Sequence, residues 1–270
     1  MEHYNPLATV ILIFTGLITY QGLKEKEYQD RYSFWTDGIL IHREFGRMIS
    51  SGFLHGGWFH FGFNMLAMVS FATFLGDTFF NIWQLALVYF GSLIGGSALS
   101  LFVHRNHSDY RAVGASGAVS GLVFASIVLF PAGEIFGLPN WFFVIIFIVI
   151  SIFGIKTQSG NIGHAAHLGG ALTGIFLALA LCPAIVLENQ WMLMLTLFPI
   201  LGFVILIIRN PTVLLIDNYW GEGLFKAKEF TKRKPKPEKS IDEILDKINQ
   251  KGIGSLTKKE KDILDRFNKR

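Results

Sequence analysis

The sequence predicts an all-α, polytopic membrane protein, and three observations carry that expectation. Charged residues make up 16% of the 270-residue chain and hydrophobic residues 51%, against roughly 25% charged in an average soluble domain. The charge is also clustered, so long stretches hold no Asp, Glu, Lys or Arg at all. Those stretches lack the polar stripe of a helix that half-faces water, and lipid selects helices because the backbone must satisfy its own hydrogen bonds. The single cysteine, Cys182, excludes an intramolecular disulfide or a cysteine-rich metal cluster.

Seven apolar segments follow, near residues 7–20, 59–76, 82–103, 113–131, 141–155, 164–182 and 192–208. A span needs about 20 apolar residues. The first and fifth segments reach that length through uncharged flanks, 5–22 and 139–155. The first is expected to be a retained anchor, because Met1 to Pro6 carries no Lys or Arg and no A-x-A site follows. The membrane domain is therefore placed at 1–208, with a core at 5–182 and an extra span at 192–208.

From Arg209 onward the composition inverts, with 16 basic and 10 acidic residues. Residues 209–239 read as a basic linker ending in Lys232-Arg233-Lys234-Pro235-Lys236-Pro237. Residues 240–270 read as a small helical hairpin. Ser240-x-x-Glu243 caps a first run with Ile241, Ile244, Leu245 and Ile248 on one face, and Thr257-x-x-Glu260 caps a second. No nucleic-acid motif accompanies the basic charge.

Reactive groups at membrane depth are expensive and mark function. Three clusters stand out: His60-Phe-Gly-Phe-Asn64 at the start of the second span, Gly114-Ala-Ser116-Gly117 at the start of the fourth, and His164-Ala-Ala-His167-Leu-Gly-Gly170 at the start of the sixth. Consecutive spans alternate direction, so all three open on the same side, at a depth of roughly 5 Å at 1.5 Å per residue. His60 and Asn64 lie one turn apart on one helix face. Gly117 and Gly121 form one small-residue face and Gly170 and Gly174 another, which lets two helices approach closely and brings Ser116 toward His167. A serine, a histidine and a His/Asn pair are the parts needed for acyl transfer: nucleophile, general base and oxyanion donors.

On these motifs, in this order, the chain resembles the rhomboid family of intramembrane serine proteases. The resemblance covers about residues 5–182 and rests on Gly-x-Ser-Gly at 114–117, His-x-x-x-Asn at 60–64 and Ala-His-x-Gly-Gly-x-x-x-Gly at 166–174. It implies a six-helix core and a Ser–His dyad without a third acidic member, metal or cofactor. By that resemblance Ser116 is the nucleophile, His167 the general base, and His60, Asn64 and the Ser116 N–H the oxyanion donors. His55 matches a loop histidine before the second helix, and Arg47 a loop-ordering arginine. Gly114, Gly117, Gly170 and Gly174 support the site. Two positions depart from the pattern: Gly46 stands where relatives often have Trp, and Ser120 where many have Tyr or Phe against the histidine ring. The implied substrates are transmembrane helices in the lipid bilayer, and the implied location is a bacterial inner membrane; nothing indicates the oligomeric state.

Rival chemistries fit less well. A zinc protease needs a motif such as H-E-x-x-H, and His104-x-x-His107 and His164-x-x-His167 lack the Glu. His3, His42, His104 and His107 read as solvated loop residues. The rival of another class is a non-proteolytic rhomboid-like adaptor that binds client transmembrane helices. Such relatives typically lose the Ser or the His, and both are present here. Orientation draws two opposed expectations. All eight basic residues ahead of the tail fall in loops on the face where Ser116 opens, which by the positive-inside rule makes that face cytoplasmic. Resemblance to bacterial rhomboids implies an outward-facing site.

Overall fold

A computed structural model of the chain describes residues 5–157, 163–210, 247–250, 255–257 and 261. It falls into two compact units, Met1–Asn218 and Tyr219–Arg270. In the second, residues 247–250 are helical. The remainder of the expected 240–270 hairpin and nearly all of the 209–239 linker lie outside the described residues.

In the first unit, helix α1 (Pro6–Lys24) leads into a folded loop of α2 (Lys26–Tyr32), strand β1 (Phe34–Trp35), α3 (Thr36–Leu40) and α4 (Arg47–Ser50). Then come α5 (Trp58–Thr78), α6 (Ile82–His104), strand β2 (Arg111–Ala112) and α7 (Ser116–Leu129). A short hairpin, β3 (Glu134–Ile135) and β4 (Leu138–Pro139), precedes α8 (Asn140–Thr157), α9 (His164–Leu181), α10 (Pro183–Glu188) and α11 (Gln190–Arg209). Among the described residues, α1, α5, α6, α8, α9 and α11 are long and apolar enough to cross a membrane. The protein is thus an all-α polytopic membrane protein, and the strands are two-residue pairs in its connections.

Local chemistry sets several helix ends. Asn5 accepts the Ala8 N–H, with Pro6 at the first helical position of α1. Asn81 and Gln84 close a capping box at the start of α6.

The fourth apolar segment differs from a span. Helix α7 has 14 residues, about 21 Å at 1.5 Å per residue, short of a hydrocarbon core of roughly 30 Å. All of its residues after Ser116 are buried. Residues 113–115 do not join it, because the chain there is tied to the neighbouring loops. β2 pairs antiparallel with β1, Phe34 opposite Ala112, and the Gly114 N–H donates to the Ser51 carbonyl at 3.0 Å.

α6, α7 and α9 pack mutually at the centre, and glycine makes that possible. A Cβ on Gly170 would collide with the Gly117 carbonyl, and one on Gly174 with the Gly121 carbonyl. The same holds on α6, where a Cβ on Gly96 would lie 2.6 Å from the Ala166 carbonyl oxygen. α5 packs on α7 and α1, and α8 on α9 and α11.

Candidate active site

Arg47 donates from its guanidinium to the backbone carbonyls of Asp30 and Ser33, both at 2.9 Å. It also pairs with Glu44 and lies 5.6 Å from the Trp35 ring. Arg111 sits over the same indole at 4.8 Å. Trp35 is therefore the aromatic anchor of this loop, whereas Gly46 has nothing within 4 Å of where a Cβ would stand.

His55 is fully buried and joins three segments. The Thr19 hydroxyl donates to the Phe53 carbonyl at 3.1 Å, so at the 3.0 Å contact with His55 it accepts from Nδ1–H. That tautomer leaves Nε2 as an acceptor, and the Ala115 N–H points to it at 3.4 Å. Burial, and secondly the neighbouring His60, push the His55 pKa down to about 3, so the ring is neutral and both hydrogen bonds are consistent with its state. The residue before Ser116 is thereby tied to α1.

Ser116 is the first residue of α7, and no side chain caps that helix end. The first-turn N–H groups have no intrahelical acceptor and carry the positive end of the helix dipole. Gly114 takes φ +135°, and a Cβ there would stand 2.8 Å from His60 Cε1 and 3.8 Å from Ser116 Oγ. Only glycine satisfies both the backbone and the space. The His60 ring packs edge-on against His55 at 4.9 Å. Asn64, buried, uses one amide hydrogen on the His60 carbonyl at 2.9 Å, which leaves the other to donate.

His167 enters from α9. Its ring has Phe147 of α8 at 6.0 Å and His164 at 5.8 Å, edge-on. Ser120 lies one turn past Ser116 and donates its hydroxyl to the Ser116 carbonyl at 2.7 Å. Its hydrogen is therefore spent on its own helix, and the aromatic neighbour of His167 comes from α8 instead. Ser116, His167, His60, Asn64, Gly114, Gly117 and Ser120 all line one cavity of about 360 Å³. It runs from the loops at Ser51 and Ala112–Gly114 down between α5, α7 and α8. Gly170 and Gly174 stand outside it, at the α7–α9 contact, and His55 and Arg47 brace its loops.

Sequence reasoning missed Phe147 and the α6 glycines, whose partners are distant in the chain. It also misplaced His104. That residue is buried at the end of α6, stacked on Tyr110 at 3.5 Å with Nδ1 3.4 Å from His107 Nδ1. The run Leu101-Phe-Val-His104 was a helix end, not a solvated loop. His42 does lie in the loop, against Trp35, and His3 is outside the described residues.

Fold and site together define a polytopic membrane protein with a serine- and histidine-lined cavity set among its helices. Residues 42–184, more than half of the chain, match the Rhomboid domain, and the chain belongs to the rhomboid family. Residues 227–270 match a family of unknown function (DUF6576). The chain is 31% identical to "Rhomboid protein 1, mitochondrial" of Saccharomyces cerevisiae over 53% of its own length and 44% of that protein. It is 30% identical to "Rhomboid protease GluP" of Bacillus subtilis over 66% of its length and 34% of that protein. To "RHOMBOID-like protein 2" of Arabidopsis thaliana it is 30% identical over 66% of its length and 57% of that protein. It thus spans well under two thirds of these relatives.

Proposed function

We propose that the chain is an intramembrane serine endopeptidase that hydrolyses peptide bonds in or beside transmembrane helices. The observation that carries this reading is that Ser116, His167, His60 and Asn64 line one cavity, in a family with named proteases. Ser116 Oγ attacks the scissile carbonyl while His167 takes its proton and returns it to the leaving amine. The oxyanion that forms meets the Ser116 N–H, the free amide hydrogen of Asn64 and the His60 ring. Water entering from the loop face then hydrolyses the acyl-enzyme, with His167 again as base. A helical amide is shielded by its own hydrogen bonds, so substrates with Gly, Ser or Pro near the scissile bond are favoured.

The test is cleavage of a reporter transmembrane helix, with fluorophosphonate labelling, by wild type and Ser116→Ala in parallel. Ser116→Ala should lower cleavage by orders of magnitude, because nucleophile and base act as a unit. Equal cleavage by both proteins would remove Ser116 as the nucleophile, and a folded wild type that neither labels nor cleaves would leave the adaptor reading. We place the protein in a bacterial inner membrane, on the likeness of its core to a Bacillus subtilis relative. The basic loops favour a cytoplasmic site and the bacterial likeness an outward one. Protease accessibility of a tag on the tail, in spheroplasts, separates the two.

A further inference from the structure

His167 stands one turn into α9, and no side chain caps that end of the helix. The first turn is the positive end of the helix dipole, where a cation is disfavoured. In the reaction proposed above, His167 takes the Ser116 proton and becomes an imidazolium at this place. In a serine–histidine–aspartate triad a carboxylate accepts the N–H of the far imidazole nitrogen, which orients the ring and steadies its charge. Among the described residues, no Asp or Glu lines the cavity.

His164 offers an acceptor in its stead. It is the first residue of α9, one turn before His167 and on the same face, and the two rings meet edge-on with centroids 5.8 Å apart. His164 is 8% exposed, and its Nδ1 is buried without a hydrogen-bond partner. A Cβ on Gly154 of α8 would run into Cδ2 and Nε2 of this ring. That edge is therefore seated on α8, and the edge bearing Nδ1 and Cε1 is turned away from it. An unpaired N–H is seldom left buried, which puts the ring hydrogen on Nε2 and leaves Nδ1 a bare acceptor. An orphaned polar atom costs stability, and a ring chosen for packing alone would carry none.

We propose that His164 is a positioning residue for His167: its Nδ1 accepts the N–H of the His167 nitrogen turned away from Ser116, so that an imidazole stands where a triad has its carboxylate. The inference rests on the protease reading. The proton taken from Ser116 Oγ stays on His167 and passes from there to the leaving amine; none is transferred to His164. At rest the rings touch without a direct hydrogen bond, and hydrogen bonds of this kind tighten once substrate is bound.

Three substitutions separate the acceptor from the packing. Asn and Leu share a branched skeleton, but only Asn carries an acceptor oxygen, and Phe keeps a ring without one. The full-length protein and its His164→Asn, His164→Leu, His164→Phe and Ser116→Ala variants are compared in proteoliposomes for reporter-helix cleavage, fluorophosphonate labelling and melting temperature. In His164→Leu and His164→Phe, kcat and the labelling rate should fall about 10- to 100-fold, the effect of losing one hydrogen bond to a charged group. KM should be unchanged, and His164→Asn should stay close to wild type. Should one apolar variant not accumulate, the other is read against His164→Asn. The opposite order, with Phe active and Asn impaired, makes the ring a packing element and overturns the proposal. A loss confined to KM, or one that follows the melting temperature across the variants, overturns it too. If wild type cleaves, Ser116→Ala does not, and all three His164 variants match wild type, the positioning role alone is wrong. If wild type neither labels nor cleaves, the protease reading falls and this inference with it.

Discussion

The two walls of the cavity are built on opposite principles. On one side α6, α7 and α9 meet backbone to backbone through Gly96, Gly117, Gly121, Gly170 and Gly174, and α7 is buried along its length after Ser116. On the other, α5 and the hairpin meet through two exposed rings, Phe63 and Phe136. Small residues give van der Waals contact without much hydrophobic drive in lipid, and close-packed contacts of that kind are intolerant of added volume. Ring stacking at a lipid-exposed surface is weaker and replaceable. Ser116 and His167, the proposed nucleophile and base, thus stand on the rigid wall.

The largest effect should come from breaking the rigid wall. Gly170→Ala places a methyl against the Gly117 carbonyl, where only backbone can move. Overpacking of this kind costs about 1–3 kcal/mol, and it should separate α7 from α9. The expected outcome is a lower melting temperature in detergent with cleavage and labelling lost together. Retention of full labelling at a normal melting temperature would mean that the helices are less tightly coupled than the glycines imply.

Gly114→Ala acts at one point of the same wall. It forces an L-residue into φ +135° and pushes on His60, so the damage falls on the proposed oxyanion donors more than on the fold. A displacement of about 1 Å at such a site costs on the order of 100-fold. We expect kcat to fall by that order with KM and melting temperature little changed. A loss confined to KM would place His60 in substrate binding instead.

His55 predicts a pH effect. Its folded pKa, about 3, lies below the ordinary histidine value. The unfolded chain therefore takes up a proton as pH falls below about 6.5 while the folded chain resists it. Stability should decline from pH 6.5 toward pH 3, by up to about 1.4 kcal/mol per pH unit from this group. His55→Gln keeps a side chain able to hydrogen-bond and removes the titration. Its melting temperature should start lower at pH 7 but fall less steeply to pH 4. Parallel slopes would assign the acid sensitivity elsewhere.

The rigid wall was largely legible in the sequence and the soft one was not. Apolar runs without charge announce spans, and Gly117, Gly121, Gly170 and Gly174 repeat at a helical spacing that any reading of period can find. Ser116, His167, His60 and Asn64 were visible because polar groups are rare at that depth. Residues 130–139 carry no period; two strands of two residues in a connector give no pattern to detect, and Phe136 gains its meaning from Phe63, far away in the chain. Phe147 was invisible for the same reason, as one of several phenylalanines on α8 with nothing local to single it out. The folded loop of α2, α3 and α4 was read only through Arg47, since its order depends on Trp35, Arg111 and the carbonyls of Asp30 and Ser33.

The smallest effect tests the soft wall from its outer side. Gly62 lies on the exposed face of α5 between His60 and Phe63, and a Cβ there would meet nothing within 4 Å. Replacing an interior helical glycine by alanine favours the helix by up to about 1 kcal/mol, and no neighbour opposes it. Gly62→Ala should therefore raise the melting temperature slightly and leave cleavage of the reporter helix close to wild type, the reverse of the same substitution at Gly170. The pair makes the contrast between the walls quantitative, because the chemistry is identical and only the surroundings differ. Should Gly62→Ala instead slow cleavage while labelling is unchanged, the outer face of α5 touches the arriving substrate helix.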